Sequence, residues 1–317
     1  MLWLLSFFQV TMQVQTSNDV KIYNLSAGKS LPDWLSDRQR RKLEQKNVDV
    51  RRRIQLIQDF EMPDVSHTVD VSPDGRYVFA TGTYKPFVKC FDLKQMSLKF
   101  QRGLDADVIK MKVLSEDYSK FILLEEERYL EMHATFGRYF RLRIPHFGRD
   151  MDFSKESSDL FIVTNSVYEC TAFMHSRSEI FRLNLEQGEF LQPLQSASSA
   201  LNCCQFSPAH QLFLAGTCDG TVEAYDHRDR KRVGTLDVIR ALQHEIQGIA
   251  EVTAVQYQSP LQIGVGTSSG HILLYDIRSK APLLVKDQMM GLPIKKIDFV
   301  DNSNGKMVLS MDSRVLK

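Results

Sequence analysis

The chain has 317 residues, 40 Lys and Arg against 39 Asp and Glu, a net charge of +1 and 43% hydrophobic residues. That balance supports a folded protein with a core and excludes a polycation whose overall charge alone would name its partner. The cysteines are Cys90, Cys170, Cys203, Cys204 and Cys218. Their number is odd and no pair has metal-ligand spacing, so they read as small buried residues of a reduced, intracellular protein.

Residues 1–11 open the chain with an apolar stretch. It is short of the roughly 20 residues that span a bilayer, and it lacks a basic flank and a small-residue cleavage site. Residues 1–11 therefore read as an accessory or spurious extension, and residues 12–317 as one domain with no membrane contact. Asp19 to Asn24 reads as a lone third or outer strand with no strands before it. Such a strand can close a propeller by completing its last blade and so remove an open edge.

Residues 28–53 break from β patterning. Ser36 to Gln45 reads as a helix: Ser36 stands at the N-cap, and Leu35, Gln39 and Leu43 recur at helical spacing. The segment carries Lys29, Arg38, Arg40, Arg41, Lys42, Lys46, Arg51, Arg52 and Arg53 against four acids, Asp33, Asp37, Glu44 and Asp49. A near-neutral protein thus has one basic insert. Its candidate contact residues, for RNA or an acidic partner, are Arg38, Arg40, Arg41, Lys42, Arg51, Arg52 and Arg53. A solvated surface helix explains the same composition equally well.

Beyond the insert the chain repeats. Ala80-Thr81-Gly82-Thr83 runs to Phe91-Asp92, Ala215-Gly216-Thr217 to Tyr225-Asp226, and Val265-Gly266-Thr267 to Tyr275-Asp276. The spacing from Gly to Asp is the same in all three. Asp226 and Asp276 stand one period apart, close to the roughly 40–50 residues of a propeller blade. Each copy reads as short strands. Val252 to Tyr257 alternates, Leu261 to Thr267 follows, Ser269-Gly270 turns, and His271 to Tyr275 returns. Asp219-Gly220 is a hairpin signal in which both residues are expected at positive φ. Arg232 to Leu236 and Pro282 to Lys286 are the expected outer strands. Weaker copies lie at Val108 to His133 and from Met151 onward, the latter interrupted at 165–178 by an expected loop insertion. A last copy starts at Lys296 and places Ser310 where the earlier glycines stand. The expected fold is therefore an all-β WD40-type β-propeller, seven-bladed when complete and truncated here in the sixth blade, with the basic helical insert near its N-terminus.

Residues that could do chemistry are sparse. Gly28-Lys29-Ser30 resembles the end of a P-loop, but Tyr23 stands where the first Gly belongs and Pro32 follows. His244-Glu245 lacks the second His of a zinc protease. Asp92, Asp226 and Asp276 recur with the repeat, as hairpin caps would. No catalytic residue, metal, cofactor or small-molecule substrate is expected. An enzyme working in the central channel would need a convergent cluster that the sequence does not display.

Several stretches are specific beyond the repeat. They are Leu31-Pro32-Asp33-Trp34-Leu35 with the Arg-rich helix, Arg53 to Glu61, Ala80 to Pro86, Ile144 to Asp150, Arg182 to Gly188 and Pro282 to Asp287. Together they resemble the N-terminal propeller of the nucleolar protein 10 family, also called essential nuclear protein 2, from about Met12 onward. Residues before Met12 have no counterpart there, and residues 165–178 look longer than the family's loop. Family members continue into a further blade and a charged tail. The resemblance implies a protein of the nucleus and nucleolus. It would be a non-catalytic, RNA-binding scaffold of the small-subunit processome in ribosome biogenesis and rRNA processing. Its partners would be processome proteins and pre-rRNA or the U3 particle, reached directly or indirectly. A WD-repeat adaptor in another complex, such as a ubiquitin ligase, is the alternative.

Overall fold

A computed structural model describes residues 13–17, 20–24, 37–46, 56–60, 62, 65–83, 85–165, 178–207, 209–242, 250–302 and 305–317. The expected extension at 1–11, residues 166–177 of the expected insertion at 165–178, and Arg51, Arg52 and Arg53 lie outside them. The chain divides into two compact units, residues 1–105 with 116–118, and residues 106–115 with 119–317.

The first unit holds two antiparallel sheets. One joins Gln13–Ser17, Val20–Asn24 and Leu56–Asp59, in that order. Val20–Asn24 is thus a middle strand, which corrects the reading of a lone strand with nothing before it. Its partner was hidden because Gln13–Ser17 is mostly polar, with Val14 half exposed. Val20–Asn24 pairs on its other side with Leu56–Asp59, from Lys21↔Asp59 to Asn24↔Leu56. The chain between these paired strands includes the helix Asp37–Lys46. The unit's second sheet, sheet I, is a meander of Ser66–Val71, Tyr77–Gly82, Phe87–Asp92 and Ser97–Gly103.

The second unit continues the meander. Sheet II comprises Val108–Val113, Phe121–Glu125, Tyr129–Ala134 and Gly137–Arg143. Sheet III comprises Phe147–Ser154, Asp159–Asn165, Glu179–Asn184 and Glu189–Gln195. Sheet IV comprises Leu201–Phe206, Leu212–Thr217, Thr221–Asp226 and Lys231–Asp237. Sheet V comprises Val252–Tyr257, Gln262–Thr267, His271–Asp276 and Pro282–Asp287. Sheet VI pairs Lys296–Asn302 with Gly305–Met311, and Met311 also bridges to Leu316. Within this unit, from sheet II to sheet VI, the first strand of each sheet packs beside the first strand of the next.

Burial explains why the sequence alternates weakly in the second strands. Phe121–Glu125 and Asp159–Asn165 are buried at every position, and sheets II and IV cover the two faces of sheet III. Apolar layers fill the gaps between sheets: Ile122, Leu130 and Ile162 between II and III, Phe161, Leu201 and Phe213 between III and IV, and Val238, Val252 and Val265 between IV and V. Each such side chain contributes about 1.5–3 kcal/mol by leaving water.

The repeated Gly-Thr pair has a steric and a polar cause. The first strand bulges between Leu201 and Cys203 in sheet IV and between Val252 and Ala254 in sheet V. The glycine lies opposite that bulge. A Cβ on Gly216 would sit 2.5 Å from Cys203 Sγ and 2.6 Å from Val252 Cγ1, so only Gly fits. The next residue closes the hairpin: Thr217 Oγ1 accepts the Thr221 N–H at 3.1 Å and donates to its carbonyl at 3.0 Å. Thr267 does the same with His271, at 3.1 Å each way. Only Gly220 in the Asp219-Gly220 turn has positive φ, at 71°. The two-residue turn expected there is corrected to a longer loop in which glycine alone takes the left-handed position.

Candidate functional site

The helix Asp37–Lys46 presents Arg38 and Lys42 to solvent, with Lys46 a further turn on. Their spacing of four sets all three on one helix face. Leu43 is half-buried. Arg40 and Arg41 belong to the same helix, but their side chains lie outside the described residues, as do Arg51, Arg52 and Arg53 entirely. The structure therefore brings together two of the seven candidates, Arg38 and Lys42.

The aspartates that end the repeats are turn caps. Asp92 Oδ1 accepts the N–H of Lys94 at 2.9 Å and of Gln95 at 3.2 Å. Asp226 accepts from Arg228 at 2.9 Å and Asp276 from Arg278 at 3.0 Å. Asn184 fills the same role in sheet III, toward Glu186 and Gln187. The aromatic residue before each repeating Asp, Phe91, Tyr225 or Tyr275, is buried.

Where the first strands run side by side, charged groups are spent on one another. Lys110 Nζ lies 3.0 Å from Asp150 Oδ1, and Lys112 Nζ lies 2.7 Å from Asp152 Oδ1. The second oxygens of both aspartates accept backbone N–H groups of sheet IV, from Cys204 at 3.0 Å and Phe206 at 2.7 Å. Asp150 holds the Lys110 ammonium well above its ordinary pKa. Burial pushes the Cys203 and Cys204 thiols up, which disfavours the thiolate a nucleophile needs. Among the described residues, no three His, Cys, Asp or Glu side chains group as metal ligands would, and no helix is long and apolar enough to cross a membrane.

Two surfaces stand out that sequence reading passed over. The outer strand of sheet II and its turn expose Phe136, Tyr139 and Phe140, but two of its three arginines are matched by acids. Arg138 pairs with Glu131 at 3.0 Å and Arg141 with Glu125 at 3.0 Å. The second surface is the turn between the third and fourth strands of sheet IV, where Arg228, Arg230, Lys231 and Arg232 are all exposed. Its signal was the run from His227 to Arg232, short and divided by Asp229.

Consecutive four-stranded meanders with adjacent first strands, bulges opposite glycine and Asx-capped turns define a β-propeller protein. The chain belongs to the family described as nucleolar protein 10-like, N-terminal domain, which matches residues 13–317. It is 53% identical to Nucleolar protein 10 of Xenopus tropicalis over 309 residues, which is 96% of this chain and 43% of that protein. It is 49% identical to Nucleolar protein 10 of Homo sapiens, over the same shares of each. It is 34% identical to Ribosome biogenesis protein ENP2 of Saccharomyces cerevisiae over 314 residues, covering 97% of this chain and 42% of that protein. The chain thus spans less than half the length of these relatives. The nucleolus is its location.

Proposed function

We propose that the chain is the propeller part of a non-catalytic scaffold in ribosomal small-subunit biogenesis. It acts within the small-subunit processome during pre-rRNA processing and is part of a propeller of seven blades. The family match over residues 13–317, with a yeast relative named a ribosome biogenesis protein, is the observation that supports this most. The paired charges between first strands agree with it, since they tie sheets together and leave little for chemistry. The basic segment lies against RNA or an acidic partner. Arg38, Arg40, Arg41, Lys42, Arg51, Arg52 and Arg53 carry that contact, and Arg38 and Lys42 are already on a solvent face.

The test is a full-length variant with Arg38, Arg40, Arg41 and Arg51 all changed to Glu, followed through a sucrose gradient. The expected result is a variant with a wild-type melting curve that leaves the pre-ribosomal fractions. Wild-type sedimentation with pre-ribosomes would contradict the role given to the segment.

A further inference from the structure

We propose that the turns joining the third and fourth strands of sheets IV and V together form a cradle for the phosphate backbone of RNA. This surface is separate from the basic helix, and its test leaves the helix unchanged.

The two turns face the same way. Asn202 Nδ2 donates to the Val252 carbonyl at 3.1 Å, and further along the Gln205 side chain accepts the Tyr257 N–H. The first strands of sheets IV and V therefore run in the same direction, and equivalent turns of the two meanders fall at the same end. The sheet IV turn supplies Arg228, Arg230, Lys231 and Arg232, and the sheet V turn supplies Arg278 and Lys280, all exposed.

Arg232 and Arg278 are held by carboxylates, of Glu223 at 2.8 Å and Asp276 at 2.7 Å, whereas Arg228 and Arg230 rest on neutral groups. Arg228 Nε donates to Gln211 Oε1 at 3.0 Å, and Arg230 Nη1 donates to Gln192 Oε1 at 3.1 Å. Amide oxygens fix the two guanidinium planes without neutralising them. Arg138 and Arg141 of sheet II are instead held by carboxylates. Asp276 is taken up by the Arg278 side chain and Asp226 caps its own turn, which leaves Asp229 as the opposing exposed acid beside Arg228, Arg230 and Lys231.

The backbone adds a second observation. Arg230 has φ 54°, in the left-handed region where the equivalent residue of sheet III is Gly188, at φ 71°. Met96 takes the equivalent position of sheet I at φ 50°, so this turn accepts a side chain there, and in sheet IV that side chain is a cation.

The chemistry fits phosphate better than protein. The turns 226–232 and 276–281 expose cations rather than an apolar centre, and the exposed Val233, Leu283 and Leu284 lie beyond them on the outer strands. No exposed aromatic ring offers a base a stacking surface there either. Fixed guanidinium forks beside mobile ammonium groups suit phosphate oxygens, read without sequence.

The experiment measures binding of the full chain to a fluorescein-labelled RNA hairpin by anisotropy, across a salt series. One variant combines Arg228→Gln, Arg230→Gln, Lys231→Gln and Lys280→Gln. A second combines Gln192→Ala and Gln211→Ala, keeping every charge but freeing the guanidiniums. The first should bind at least about tenfold more weakly near 0.1 M salt, and the slope of log affinity against log salt should shrink by about 3, four contacts at about 0.7–0.9 each. The second should lose severalfold in affinity with its slope unchanged, and it keeps the proposal falsifiable if the first unfolds. Wild-type affinity and slope in the first variant would overturn the cradle. So would an unaffected second variant, which would mean diffuse charge, or displacement of the RNA by polyglutamate at equal charge, which would assign the surface to an acidic protein.

Discussion

Asp152, on the first strand of sheet III, accepts the backbone N–H of Phe206, on the first strand of sheet IV, at 2.7 Å. One side chain thereby does across two sheets what a backbone carbonyl does within one. Asp150 repeats the contact two residues earlier with Cys204. The register between these sheets is thus fixed by polar groups as well as by the apolar layer of Phe161, Leu201 and Phe213.

Replacing Asp152 by Ala leaves the Phe206 N–H buried and without its acceptor. The expected loss is about 1–3 kcal/mol, read as a lower urea midpoint. Lys112 is partly exposed, so the broken ion pair adds little. Asp152→Asn keeps an acceptor oxygen and should lose less than Asp152→Ala. Equal midpoints for wild type and Asp152→Ala would show that the contact does not hold the sheets.

Gly216→Ala forces a methyl group into space held by Cys203 and Val252. The expected destabilisation is about 1–3 kcal/mol, the range for overpacking a filled core. Gly234 has open space around its Cβ position, so Gly234→Ala should stay within about 0.5 kcal/mol of wild type. Thermal melts of the two variants side by side give the comparison. Similar melts would remove the steric reason for the repeated glycine.

Acid stability should follow the turn caps. Asp276 is lowered to about 2, first by its hydrogen bond from the Arg278 side chain and then by the Arg278 backbone N–H. A carboxylate depressed in the folded state stabilises above its unfolded pKa, near 4, and that contribution is lost as pH falls through about 2. Asp74, Asp92 and Asp312 are lowered in the same sense. The melting temperature should therefore fall between about pH 4 and pH 2, and Asp276→Asn should shallow that fall. A curve indifferent to Asp276→Asn would mean that the cap does not hold the turn.

These residues also explain how far the fold could be read from sequence. Gly216 and Gly266 recur because packed side chains, Cys203 and Val252 at the first and Ile294 at the second, leave no room for Cβ, and Asp92, Asp226 and Asp276 recur because one turn geometry needs a side-chain acceptor. Such local demands leave a periodic trace. Sheet II was faint because its turn from Ala134 to Gly137 carries no Asx cap, and Asn184 replaces Asp in sheet III. The strand Gln13–Ser17 was missed because its mostly polar sequence hid it. The contacts of Asp150 and Asp152 with Cys204 and Phe206 depend on which strands stack, which no local pattern encodes. Of the candidate site, the charge of the helix was legible, whereas the cations of the sheet IV turn were obscured by Asp229 within a short run.

The most direct test of the central claim is to purify the tagged full-length protein from cells under native conditions and sequence the RNA that comes with it. A scaffold of small-subunit biogenesis should return U3 RNA and early pre-rRNA, enriched well above a tag-only control. Recovery of ubiquitin-ligase subunits with neither RNA above that control would contradict it.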